Sequence, residues 1–336
     1  MIEEKFNPAF FLKNAHIQTY LASSRLRVMG KNPMLDAAKE TIITTKAGVR
    51  LLASYSPAGE NKSKGMVMLL HGWEGSVGSA YILSAGRHLF ENGYSVFRLN
   101  FRDHGNSHHL NEGLFYATLI DEVFQAVQQV SAIEGGLNFF LAGFSLGGNY
   151  ALRIGRICAK EPIKNLRHIV SISPVIDPDK ATGAIDGNIM IRKYFLSKWR
   201  RSLALKQKLF PEKYDFEEII SLNSCRSITD RLIKSYSRYK DTAKYFRGYT
   251  ITGDTINGIA VPTTIIASKD DPVIPVCDFY ALDFREPVNL MIHRRGGHNG
   301  FIEDIFFNCW HEKKMLRLFD GILTDNRSDP MISSRK

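Results

Sequence analysis

Cysteine is scarce in this chain, and the four present, Cys158, Cys225, Cys277 and Cys309, stand far apart with no CxxC spacing. That arrangement argues against a disulfide framework and against the common zinc patterns, and it fits a reducing compartment, with the cytoplasm as the expectation. Long apolar runs are missing too. The longest, such as Met66 to Leu70, have strand length and fall far short of the roughly 20 residues that span a bilayer. The opening residues, Met1-Ile2-Glu3-Glu4-Lys5-Phe6, are acidic where an export signal is basic, so export is not expected. Internal repeats and low-complexity segments are absent, although the Ser- and Arg-containing tail after Asp325 is expected to be disordered.

Net positive charge is small outside one segment. The net charge is +10, and residues 180–250 hold 16 Lys or Arg against 7 Asp or Glu, which accounts for nearly all of it. No helix-turn-helix, RNP or zinc-finger pattern lies there, so no nucleic-acid partner is expected. Arg192-Lys193, Lys198 and Arg200-Arg201 alternate instead with Tyr194, Phe195, Trp199 and Leu203. Such a basic, amphipathic surface is first a solvated face of an inserted helical segment. Its second reading is peripheral contact with an anionic membrane or docking of an acyl carrier.

What the chain does have is alternation of strand and helix. At 336 residues and 44% hydrophobic it can bury a large core, expected as one domain plus an insertion. Thr41 to Thr45 and Arg50 to Tyr55 flank the turn-like Lys46-Ala47-Gly48 and predict an opening antiparallel hairpin. Met66 to Leu70 is continuously apolar, as in a parallel strand buried on both faces. Helices over Tyr81 to Asn92, Thr118 to Ser131 and Leu146 to Lys160 alternate with strands over Tyr94 to Leu99, Asn138 to Ala142 and His168 to Ile172. The rhythm breaks over about 176–257, a basic, helix-rich stretch read as a cap, and resumes with strands at Val261 to Ala267 and Val288 to Ile292. A last helix is predicted over Phe301 to Leu318. The fold class is therefore α/β: a mostly parallel central sheet flanked by helices, with core segments at about 36–175 and 258–322, the inserted helical cap, and an N-terminal extension over 1–35.

The chemistry-bearing motif is Gly143-Phe144-Ser145-Leu146-Gly147. By itself a G-x-S-x-G is weak, because a chain with 26 glycines can carry one by chance. Its context is stronger. Phe139 to Ala142 precedes it as a buried strand and Asn149 to Ile154 continues it as a helix, the setting in which a serine nucleophile sits on a strained turn of an α/β-hydrolase fold. Acyl transfer also needs a base, an acid that orients it, and donors for the developing oxyanion. In this fold the order is Ser, acid, His. After Val261 to Ala267 comes Ser268-Lys269-Asp270-Asp271-Pro272, with Asp271 as the chosen acid and Asp270 as the alternative. His298, between glycines in Gly296-Gly297-His298-Asn299-Gly300, is the candidate base. The oxyanion donors are expected to be the amides of Leu146 and Trp73, in the loop His71-Gly72-Trp73-Glu74-Gly75-Ser76. Gly72 and Phe144 are expected to border the substrate, and His71 to brace the loop.

These motifs, with the N-terminal Phe6-Asn7-Pro8 and Asn14-Ala15-His16-Ile17-Gln18-Thr19, resemble the YheT-like family of α/β-hydrolases over about residues 6–320. The resemblance implies a Ser145, Asp271, His298 triad, no cofactor, and carboxylic-ester substrates with short- to medium-chain or lipid-like acyl groups. One loop departs from it. Where family members usually read Phe-Arg-Gly-Cys-x-Gly, this chain has Phe101-Arg102-Asp103-His104-Gly105-Asn106-Ser107-His108-His109. The loop is expected to line the pocket beside the cap. Asp103, His104, His108 and His109 are metal-ligand types at close spacing, but they complete no known ligand pattern, so no metal is expected. An acyltransferase using the same triad, or a binding protein that kept the fold without turnover, are the alternatives to an esterase. The sequence sets no oligomeric state.

Overall fold

The computed structural model describes residues 6–59 and 63–328, with side chains described as far as residue 324. The expectations about the first five residues, and about the tail beyond 328, fall outside these.

Among the described residues eight strands form one sheet: β1 (Lys39–Thr44), β2 (Arg50–Ser56), β3 (Met66–Leu70), β4 (Ser95–Leu99), β5 (Phe139–Phe144), β6 (Leu166–Ile172), β7 (Thr263–Ser268) and β8 (Val288–His293). The spatial order is β1-β2-β4-β3-β5-β6-β7-β8. β1 and β2 form the predicted hairpin, and β2 pairs antiparallel with β4; every other pairing is parallel. The continuous apolar runs follow from burial on both faces. Met66, Met68 and Leu70 enter one core layer with Phe139 and Leu141, while Val67 and Leu69 enter the opposite layer with Phe140 and Ala142. Each such Val, Leu, Met or Phe side chain contributes about 1.5–3 kcal/mol by leaving water.

An N-terminal segment carries α1 (Ala15–Ala22) and the single turn α2 (Pro33–Asp36). The sheet is flanked by α3 (Ala80–Glu91), α4 (Ile120–Ser131) and α5 (Leu146–Ile157). The cap comprises α6 (Pro178–Gly187), α7 (Ile189–Leu209), α8 (Glu217–Ser221), α9 (Cys225–Tyr236), α10 (Thr242–Arg247) and α11 (Gly253–Asn257), within the predicted insertion. α12 (Cys277–Tyr280) and α13 (Trp310–Ser328) complete the chain. No described helix is long and apolar enough to cross a membrane.

The last helix departs from expectation. It begins at Trp310 rather than Phe301, because residues 298–309 form a loop in which Asn299, Phe301 and Phe307 take positive φ and Ile302 bridges Cys309. The helix also runs through Ser328, past the point where disorder was expected. The basic α7 likewise does less at the surface than its pattern suggests. Phe195 and Trp199 pack inward, and Arg192, Lys198 and Arg200 donate to the carbonyls of Asp186, Glu74 and Leu222.

One cation of α7 is wholly internal. Lys206 is 1% exposed and reaches from the cap into the 103–113 loop, where its ammonium donates to Asp103 Oδ1 at 2.8 Å and to the Asn111 carbonyl at 2.6 Å. Asp103, held at φ +56°, also accepts from the Phe115 amide. Removing one member of a buried ion pair strands the other. Lys206→Ala is expected to cost about 3–5 kcal/mol, read as a lowered urea midpoint. The double variant Asp103→Asn/Lys206→Met is expected to lose less than the two single losses combined.

Candidate active site

Ser145 joins the end of β5 to the start of α5 with φ +54° and ψ −115°, a backbone conformation that is costly for a residue with a side chain. Only glycines fit beside it. A Cβ on Gly143 would lie 2.1 Å from the Gly147 carbonyl oxygen, and one on Gly147 would lie 2.3 Å from that of Leu70. The turn is held from outside by the Ser145 amide, which donates to the Ile172 carbonyl at 2.9 Å. It projects the hydroxyl over the carboxyl ends of the parallel strands, where open α/β sheets place their ligands.

His298 arrives from the loop after β8 and Asp271 from the loop after β7. The imidazole Nε2 lies 2.9 Å from Ser145 Oγ, and Nδ1 lies 2.9 Å from Asp271 Oδ2. All three side chains are nearly buried. Asp271 is itself fixed by the amides of Val273 and Ile274, which donate to its Oδ1. Asp270 makes no hydrogen bond to the imidazole's ring nitrogens. Its Oδ1 accepts from the Gly297 amide at 2.9 Å and shapes the histidine loop. The series can pass a proton from serine to histidine while the carboxylate holds the ring in orientation.

The N-terminal segment braces that loop. The His298 amide donates to Thr19 Oγ1, and Gln18, fully buried, ties the carbonyls of Leu12 and Ile302 to the Ile302 amide. A Cβ on Gly297 would meet the Ala15 carbonyl at 2.4 Å. Gln18 and Thr19 carry no signal of a site role in the sequence beyond their place in the Asn14 to Thr19 motif. Asn14 caps α1 by accepting from the amides of His16 and Ile17, and His16 itself is exposed.

Opposite Ser145 stands the loop after β3. His71 is buried and braces it, Nδ1 meeting the Gly72 carbonyl and Nε2 accepting from the Phe101 amide. Burial holds this imidazole well below the usual histidine range, so it stays neutral. Gly72 passes so close that a Cβ there would lie 3.1 Å from Ser145 Cβ. Among the described residues, the Trp73 and Leu146 amides are engaged by no carbonyl of the surrounding turns, so both N–H groups are without a backbone acceptor. Phe144 departs from expectation: it is fully buried in the core against Tyr81 and His311 and lines neither of the spaces beside Ser145.

Two spaces meet at this loop. The outer one is a polar cleft holding Ser145, His298, Gly72, Ser76 and Lys198. The inner one, about 130 Å3, lies between sheet and cap and is lined by apolar groups including Leu146, Val175, Leu203 and Leu232. Trp73 and Glu74 border both. The indole of Trp73 is stacked on Phe195 and meets Trp199 edge-on, so α7 fixes the partition.

The departing loop over 103–109 supplies Asp103 and His104 to the inner wall. Its ligand-type residues do not converge on one point. Lys206 occupies Asp103, His104 Nδ1 meets the Arg102 carbonyl, His108 Nε2 meets Ser202, and His109 is exposed.

Glu74 takes φ +54°, and burial pushes its carboxyl up to about 8, with the Lys198 ammonium opposing. A folded state that keeps a proton which the unfolded chain sheds near the ordinary carboxyl range loses stability as pH rises between the two. Glu74→Gln should therefore gain in melting temperature over the parent from pH 5 to pH 8. Equal melting differences at both pH values would contradict it.

Several known proteins are similar to this chain. An abhydrolase domain-containing protein of Dictyostelium discoideum is 23% identical over 329 residues, covering 96% of this chain and 82% of that protein. YheT of Escherichia coli (strain K12), a proposed esterase by name, is 23% identical over 309 residues, covering 89% and 87%. Among solved structures, the Pyrococcus furiosus esterase Pf2001 superposes with a TM-score of 0.53 at 19% identity, covering 86% of this chain and 90% of that one. A 2,6-dihydroxy-pseudo-oxynicotine hydrolase gives 0.56 at 17%, covering 94% and 77%. These structural likenesses establish the fold. The family model described as serine aminopeptidase, S33, matches residues 61–282, well over half of the chain, which thus belongs to that family of α/β-hydrolases and is YheT-like.

Proposed function

We propose that the chain hydrolyses carboxylic esters with short- to medium-chain or lipid-like acyl groups, through an acyl-enzyme on Ser145. The observation that carries this reading is the hydrogen-bonded series Asp271, His298, Ser145, set beside an apolar cavity. In the forward step Ser145 Oγ attacks the ester carbon as His298 Nε2 takes its proton. The carbonyl oxygen becomes an oxyanion held by the Leu146 and Trp73 amides. Its collapse expels the alcohol, which takes the proton from His298. Water then repeats the sequence on the acyl-enzyme and frees the acid.

The inner cavity suits the acyl group and the polar cleft suits the alcohol. At about 130 Å3 the cavity compares with engineered ones of about 150 Å3 that admit benzene, which favours short acyl chains unless the cap yields. Water is the acceptor present in bulk at the mouth of this cleft, which makes hydrolysis the leading reading and acyl transfer the second.

A fluorophosphonate probe is expected to label the parent and not Ser145→Ala, whose ester turnover should fall by about 10⁴-fold or more. Unlabelled parent protein would leave a binding role instead. With p-nitrophenyl esters of increasing length, turnover should peak among short to medium chains, and products in excess ethanol should be mainly acid. Ester exchange outpacing hydrolysis would make the protein an acyltransferase. Asp271→Asn is expected to lower turnover by about 10⁴-fold, and Asp270→Asn far less; the reverse order would move the acid to Asp270.

A further inference from the structure

Between Phe6 and Leu35 the chain carries four Lys or Arg and no Asp or Glu. Its short turns also hold large apolar side chains out of the fold: Phe10 is 85% exposed, Tyr20 74%, Met29 68% and Leu26 55%. Exposed apolar residues scattered singly need no explanation, but several on one acid-free stretch mark a contact face. The stretch is firmly built. Arg27 is buried and pairs with Glu312 at 2.9 Å, Met34 is fully buried in the core, and the Ala9 amide donates to the Glu303 carbonyl. That last bond brings in the loop bearing the exposed Ile305 and Phe306, whose two acids are engaged within the fold, Glu303 by Lys313 and Asp304 by the amides of Phe306 and Asn308.

The position of this stretch bears on its use. Ser23, Arg25 and Val28 form one lip of the cleft that holds Ser145, and Tyr194 of α7 borders the same cleft. One turn before Tyr194, Met190 is 80% exposed, and residues four apart share a helix face. Both lips therefore present apolar groups outward.

We infer that residues 6–35, with the first turns of α7, form a docking face for an anionic lipid bilayer that seats the mouth of the cleft on the membrane surface. Charge decides between this and a second copy of the chain. A two-fold dimer would set Lys13, Arg25 and Lys31 against themselves, with the exposed Asp36 at the edge of the stretch too little acid to answer three cations. An anionic surface answers all three. Protruding apolar side chains interspersed with cations are also what sinks into a headgroup layer. The cap, which its charge pattern singled out for such contact, adds only its leading turns because Phe195 and Trp199 face inward.

The test is co-sedimentation with vesicles of phosphatidylcholine alone or mixed with phosphatidylglycerol, which needs no catalysis and so stands apart from the esterase reading. The parent should bind the mixed vesicles in preference to the neutral ones, and less as salt rises. A Phe10→Ser, Tyr20→Ser, Leu26→Ser, Met29→Ser variant should melt as the parent does and bind roughly tenfold or more weakly. Equal binding by parent and variant, or no preference for anionic vesicles, would overturn the inference. So would a parent that is dimeric, binds no vesicles and becomes monomeric in the variant, which would give the face to a second copy.

Discussion

Ser145 is held in a left-handed backbone conformation between the last residue of a strand and the first of a helix, and the neighbouring structure is arranged around that single turn. Such a conformation costs of the order of 1–3 kcal/mol and persists only where its surroundings allow no other. Here they do not. β5 is buried on both faces between β3 and β6, α5 must start hard against the Leu70 carbonyl, and glycines at 143 and 147 are the only residues that permit the approach. Relaxing the turn would pull either the strand or the helix out of a filled core.

The other parts of the site are then brought to the serine rather than built with it. His298 is aimed by two separate pieces of chain: Asp271 and Asp270 from the loop after β7, and Thr19 and Gln18 from the N-terminal segment. The Trp73 amide is placed by a loop whose indole is clamped by α7, and α7 is pinned to the 103–113 loop through the buried Lys206. Cap, N-terminal segment and sheet thus share one small volume. The partition between polar cleft and apolar cavity depends on all three.

Much of this was legible in the residues. Runs such as Met66 to Leu70 are what strands buried on both faces require, since their length suits a strand and no polar position is left for a wet side. The sequence order of Ser145, Asp271 and His298 was legible too, because each follows a strand-like run and stands where parallel strands end. Asp271 and Asp270 were separable only by geometry, since adjacent residues in one turn point differently and the chain alone does not say which faces the imidazole. Phe144 defeats a reading by proximity because its neighbour Ser145 faces the cleft while Phe144 itself turns into the layer below. The last helix starts later than its periodicity suggests because Gln18, nearly three hundred residues away, engages the Ile302 amide and holds that stretch as a loop.

Local patterning alone pointed to most of the elements, to their order and to Ser145 and His298 as candidates, through apolar periodicity, glycines at a strained turn, and chemistry at strand ends. It took the folded chain to show which acid meets His298, that Lys206 is internal rather than surface charge, and that the N-terminal segment braces the His298 loop while turning its apolar side chains outward. Those outcomes depend on which distant segments share a volume and on how far each charge is removed from water. Neither is fixed by spacing along the chain.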